Sequence, residues 1–116
     1  MIEVYHNPRC GKSRNCLAFL DNANQEYKII KYLEEVPTAE ELTDLLKKLN
    51  LKPIELVRQK EKIWIEQYKN QELTDEAIIQ AMAANPILIE RPIIVKGNKA
   101  IIAREADKIE AFFEGK

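Results

Sequence analysis

The chain changes its hydrophobic period twice between Ile2 and Tyr32, and nothing else in the sequence narrows the fold as much. Ile2-Glu3-Val4-Tyr5 is a short β-prone run, closed by the turn chemistry of His6-Asn7-Pro8. Ser13, Cys16, Leu17 and Leu20 then fall at i, i+3, i+4 and i+7, the spacing of a helical stripe. This predicts a helix from about Gly11 to Asp21, with Cys10 at or just before its first turn. Asp21-Asn22-Ala23-Asn24 is a natural stop, and Tyr27-Lys28-Ile29-Ile30-Lys31-Tyr32 reads as a second strand. Strand, helix and strand within about 30 residues make a βαβ unit, so the two strands run parallel.

Downstream, Thr38 with Glu41 forms a capping box, and Leu42, Leu45, Leu46 and Leu49 make another helical face that Asn50 can end. Pro53 to Lys69 is helical in composition but poorly periodic. A further helix begins near Thr74-Asp75-Glu76, turns Ile78, Ile79 and Met82 inward, and stops at Asn85-Pro86. Pro92 to Ile102 reads as a β-hairpin around Gly97-Asn98, and the final helix, roughly Glu105 to Glu114, carries Ile109, Phe112 and Phe113. The expected fold is α/β and thioredoxin-like. A mixed four-stranded sheet carries flanking helices, with an all-helical insertion, roughly 38–84, between the βαβ half and the ββα half.

Composition bounds the function. The 116 residues suit a single domain, 1–116. Lys and Arg number 18 against 19 Asp and Glu, a net of -1, so no excess of either sign exists to coat a nucleic acid or anchor to a membrane surface. No apolar run approaches the roughly 20 residues of a membrane span. The start lacks a signal-peptide pattern, and a cytoplasmic address is expected. The two cysteines are then free thiols. One histidine and two separated thiols make no metal-ligand set, and no bound cofactor is expected.

Cys10 is the chemical candidate. It lies where a strand hands over to a helix, and three effects favour its thiolate. The first-turn N–H groups are unpaired, the helix dipole is positive there, and Arg9, Lys12 and Arg14 add full charges. At the reference pKa of ~8.5 a thiol is only about 3% ionised at pH 7, and a fall of about two units makes thiolate the majority form. The same turn can cradle an oxyanion. It is not the Cys-x5-Arg loop of phosphatases, because position 16 is Cys16. Cys16 lies on the apolar stripe and reads as core. Six residues of helix rise ~9 Å, beyond the ~7 Å Cα separation that a disulfide tolerates, so a second thiol for Cys10 must come from outside.

Tyr5-His6-Asn7-Pro8-Arg9-Cys10-x-x-Ser13-Arg14, Leu56-Val57-Arg58, the stretch Asn85 to Val95 and the late Arg104 together resemble the glutaredoxin-coupled arsenate reductase family. The likeness runs along nearly the whole chain in the same order, and is greatest to the short members without the C-terminal extension of the plasmid-borne enzymes. It implies an oxidoreductase in which Cys10 attacks arsenate and Arg58, Arg91 and Arg104 bind the oxyanion and the thiol adduct. Glutathione, as co-substrate, and glutaredoxin then complete reduction to arsenite. Pro92 would be the cis-proline beside the cysteine, and His6 and Ser13 would help hold the thiolate. Where the family commonly has proline after the last of these arginines, this chain has Glu105.

Taken singly, each arginine could be a solvated surface charge. Together they suit an oxyanion, because the planar guanidinium grips two oxygens and each contact at ~4 Å is worth up to about 4 kcal/mol before desolvation. Arg91 opens a buried strand and Arg104 closes the hairpin, and both ends can face the cysteine turn in this topology. Two alternatives remain: a glutathione-linked thiol enzyme with another substrate, and a redox-related regulator that binds RNA polymerase. Ser13 in place of a second cysteine argues against a Cys-x-x-Cys switch. A monomer is the expected state.

Overall fold

The computed structural model of the chain describes residues 2–114. The chain forms two compact units, one made of the residues up to Glu35 together with those from Arg91 onward, the other of Val36–Glu90.

The first unit is a sheet with helices. β1 (Ile2–Tyr5), α1 (Gly11–Asn22) and β2 (Tyr27–Ile30) form the βαβ unit, and β3 (Ile93–Lys96), β4 (Lys99–Ile102) and α5 (Ala106–Phe113) complete it. The strand order is β2-β1-β3-β4. β1 and β2 are parallel, whereas β3 is antiparallel to both β1 and β4. This is the mixed thioredoxin-like sheet that the element order predicts. Its core gathers Ile2, Val4, Cys16, Leu20, Ile94, Ala103 and Ile109, with Leu17, Phe112 and Phe113 half-buried against it. Alternation in β1 sends Ile2 and Val4 inward. The hairpin turn has φ +64 at Gly97 and no positive φ at Asn98, as a type II′ turn requires.

β2 is shorter than its β-prone sequence suggests. It ends at Ile30, and Tyr32 lies fully buried in a turn instead. Its aromatic ring follows burial rather than the strand alternation.

The register sets where chemistry can assemble. Tyr5 of β1 pairs with Ile93 of β3, and Ile93 pairs with Ile102 of β4. Because β3 runs opposite to its neighbours, the residues after β1, before β3 and after β4 all emerge at one end of the sheet. Those segments carry Cys10, Arg91 and Arg104.

The second unit holds α2 (Ala39–Leu49), α3 (Lys62–Gln67) and α4 (Asp75–Ala84), with 3-10 turns at Pro53–Leu56 and Pro86–Leu88. α2 buries Leu42, Leu45, Leu46 and Leu49 as its periodicity requires, and ends on Asn50 at φ 57. The Thr38 hydroxyl accepts from the Glu41 N–H, and the Glu41 carboxylate accepts from the Thr38 N–H, both at 3.1 Å. Thr38→Ala should cost about 1 kcal/mol. In a melt that corresponds to a Tm lower by about 4 °C. An unchanged Tm would remove the box as a source of stability. The aperiodic Pro53 to Lys69 segment resolves into the first 3-10 turn and α3, where buried Trp64 stacks on Tyr68 at 5.4 Å. An isolated antiparallel bridge joins Val57 to Ile89.

Candidate active site around Cys10

Cys10 is the N-cap of α1, with extended backbone at φ -96 and ψ 123. The turn before it is closed twice by Asn7. The Cys10 N–H donates to the Asn7 carbonyl at 3.0 Å, and the Arg9 N–H donates to Asn7 Oδ1 at 3.0 Å. Pro8 at the second turn position presets φ for such a turn. The Arg14 N–H returns to the Cys10 carbonyl at 3.1 Å and starts the helix. Residue His6 is tied to the neighbouring strand, its N–H donating to the Ile30 carbonyl at 2.9 Å.

The Cys10 thiol is half-buried, so it is neither sealed in the core nor fully solvated. Burial pushes its pKa up. Against that act the N–H groups of Ser13 and Lys12, the Ser13 hydroxyl and the Arg91 guanidinium, and the balance brings it down to about 7. No side-chain cap hydrogen bond of full geometry closes on the sulfur. The two N–H groups therefore act as weak donors that strengthen when the sulfur carries charge. Cys16 is the control within the same helix. It is 1% exposed, and burial alone pushes it up to about 11. Both cysteines are free. Alkylation followed against pH should show one reactive thiol with a midpoint near 7 and a second inert below pH 9; a midpoint at an ordinary thiol value would contradict the site.

Ser13 is fully buried, and its Oγ accepts the Asn7 N–H at 3.4 Å. Arg91 is 7% exposed, an unusual place for a cation, and its guanidinium is the smallest of the influences that lower the Cys10 pKa. It is followed by a cis peptide bond to fully buried Pro92. The Ala103 N–H donates to the Pro92 carbonyl at 2.8 Å, and Arg104 Nη1 donates to the Arg91 carbonyl at 2.7 Å. Arg104 also shares a groove of about 190 Å³ with Lys12, walled by Cys16 and Ile109. Glu105 directs its carboxylate to Lys108 at 3.6 Å rather than to Arg104. His6 is 7% exposed, and its Nδ1 has no hydrogen-bond partner among the described residues. Burial, then the charges of Lys31 and Arg14, lower its pKa, so the imidazole is neutral at pH 7 and adds no full charge near the thiolate.

One end of the first unit thus brings together Cys10, Ser13, Arg91 and Arg104, with His6 one turn before the thiol. Arg58 lies in the second unit. Its N–H donates to the Leu88 carbonyl at 2.7 Å, and its guanidinium pairs with Glu61 at 3.1 Å and Glu90 at 3.9 Å. Reading the sequence for reactive side chains passes over Asn7, which shapes the turn without doing chemistry. The signal was present in the Asn-Pro pair just ahead of the cysteine. Among the described residues no group of three His, Cys, Asp or Glu side chains could hold a metal, and no helix is long and apolar enough to cross a membrane.

The sequence profile of the ArsC family matches residues 5–112, which include every one of these side chains. The chain belongs to the ArsC family. An arsenate reductase of Neisseria meningitidis is 37% identical over 112 residues, covering 95% of this chain and 96% of the relative. The Escherichia coli K12 protein YfgD, named as uncharacterized, is 44% identical over 110 residues, covering 93% and 92%. Among solved structures, an arsenate reductase from Vibrio cholerae superposes with a TM-score of 0.88 at 40% identity, covering 94% of each chain. The ArsC-family fold therefore extends over the cysteine turn, the helical segment and the Arg91-Pro92 strand start alike.

Proposed function

We propose that this ArsC-family protein is an arsenate reductase whose nucleophile is Cys10. The observation that carries the reading is a half-buried thiol at the N-cap of a helix, brought to about 7 by the N–H groups of that helix start, with buried Arg91 a lesser influence. Relatives bearing the name arsenate reductase at 37% identity over nearly the full chain support it.

The Cys10 thiolate attacks arsenic. The S–As bond forms as one arsenate oxygen leaves as water, taking its proton from solvent. Arg91 and Arg104 hold the remaining oxygens and offset their repulsion from the thiolate. Arg58 is carried over as an oxyanion ligand by the family resemblance alone, and its guanidinium is paired with Glu61 and Glu90 within the second unit. A glutathione thiolate then attacks the Cys10 sulfur. A disulfide forms between Cys10 and glutathione, the S–As bond breaks, and its electron pair stays on arsenic, so As(V) leaves as As(III) arsenite. Glutaredoxin reduces the mixed disulfide and restores the thiol. An external thiol is needed because Cys16 is buried and its pKa is high. Such chemistry suits a reducing, glutathione-containing compartment such as the cytoplasm, with a single chain supplying the whole site.

The test is arsenite formation by the purified protein with arsenate, glutathione and glutaredoxin. In a folded protein Cys16→Ser should keep activity within about threefold, because the residue packs in the core and supplies no reacting atom. No arsenite from the wild-type protein would overturn the reading, and loss of activity in a folded Cys16→Ser variant would overturn the external-thiol step.

A further inference from the structure

Asn7 is 4% exposed, and its side chain is neither acid, base nor nucleophile. Yet three of its polar groups are committed to the cysteine turn. Oδ1 accepts the Arg9 N–H at 3.0 Å, the carbonyl accepts the Cys10 N–H at 3.0 Å, and the N–H donates to Ser13 Oγ at 3.4 Å. The last contact has a chemical consequence. A serine hydroxyl carries one proton and accepts through its lone pairs. With the Asn7 N–H on its oxygen, the Ser13 hydroxyl keeps its own proton to donate, and it is one of the groups that lower the pKa of the Cys10 thiol three residues before it on the same helix start. Ser13 is fully buried, so water does not compete for that proton. The first two contacts keep the N-cap backbone extended, which holds the sulfur over the Lys12 and Ser13 N–H groups.

We propose that Asn7 is a positioning residue for the reacting thiolate: its side chain locks the 7–10 turn, and its backbone orients Ser13 as a proton donor to Cys10. This rests on the reading of Cys10 as the reacting thiol, and it adds the group that keeps that thiol ionised. The charged or titratable side chains around the turn are His6, Arg9, Lys12 and Arg14 on the same segment, Lys31 after β2, Arg91 from the start of β3 and Arg104 after β4. Asn7 sets the distance at which the Ser13 and Lys12 dipoles act without adding a charge of its own.

The experiment is the pH dependence of iodoacetamide alkylation, with circular dichroism as the check on folding. Asn7→Ala should raise the Cys10 midpoint by about one unit, which leaves about fivefold less thiolate at pH 7. Asn7→Ser keeps an oxygen that can cap the N–H two residues on, and should recover most of that shift. Ser13→Ala should shift the midpoint in the same direction, and the double variant should fall short of the sum, because the two residues act as one unit. A folded Asn7→Ala protein with an unchanged midpoint overturns the proposal, as does a Ser variant that recovers nothing. Should Asn7→Ala fail to fold, Ser13→Ala decides the matter: an unchanged Cys10 midpoint there overturns the proposal, because the Asn7 backbone acts on the thiol through the Ser13 hydroxyl. The two readings fail separately. A wild-type thiol near 7 with no arsenite formed sinks the arsenate assignment and leaves Asn7 in place. Wild-type turnover with an unaltered Asn7→Ala thiol sinks Asn7 alone.

Discussion

Cys10→Ser should abolish arsenite formation, with kcat falling by about three orders of magnitude or more. The physical reason is the atom itself. At pH 7 a thiol with a pKa of about 7 is half ionised, whereas a serine hydroxyl in the same turn stays protonated. The sulfur is also the only atom at this position that can later release arsenic as As(III) by forming a disulfide. Serine is close to cysteine in size and can accept the same Lys12 and Ser13 N–H groups, better than sulfur does. The variant should therefore fold at least as well as the wild type and still bind arsenate. Single-turnover arsenite measurement with a matched melt separates the two effects. Retained turnover in a folded Cys10→Ser protein would show that the reacting atom lies elsewhere.

Arg91→Leu should lower kcat/KM for arsenate by about 10²- to 10³-fold, the usual cost of removing one donor from an oxyanion site. It should also raise the Cys10 midpoint, because the guanidinium is one of the groups that holds the thiol down. A melt of the variant separates a loss of chemistry from a loss of fold, because removing one member of a buried polar contact can itself destabilise. Arg91→Lys keeps the charge but loses the planar fork, so it should recover the thiol midpoint more fully than it recovers turnover. That split separates the two duties of one side chain, electrostatic support of the sulfur and grip on the substrate. An Arg91→Leu protein within about threefold of wild type would remove Arg91 from the oxyanion site.

Much of this was legible in local pattern. The period changes between Ile2 and Ile30, the Thr38–Glu41 box, the Asn50 stop and the Gly97 turn each involve residues within a few positions of one another. Their physics is short-range: steric limits on φ, unpaired helix-end groups, and alternation or stripes of apolar side chains. The Cys10 thiolate belongs to the same class, since a helix start two and three residues away supplies the N–H groups that lower it. Tyr32 departs from the strand its sequence predicts for the complementary reason. Its local preference is β, and packing overrode it. Glu105, placed beside Arg104 by sequence, turns to Lys108 one helical turn on, a rotamer choice that adjacency does not reveal.

Strand and helix periods, caps and the cysteine's place at a helix start were written in the order of the residues, because each depends on neighbours along the chain. The meeting of Arg91 and Arg104 with Cys10 was not. It arises because β3 lies antiparallel between β1 and β4, so that three distant chain segments leave the sheet at one end. Hydrogen-bond register and burial across the sheet make that choice, and the β1–β3 pairing acts between residues 88 to 94 positions apart.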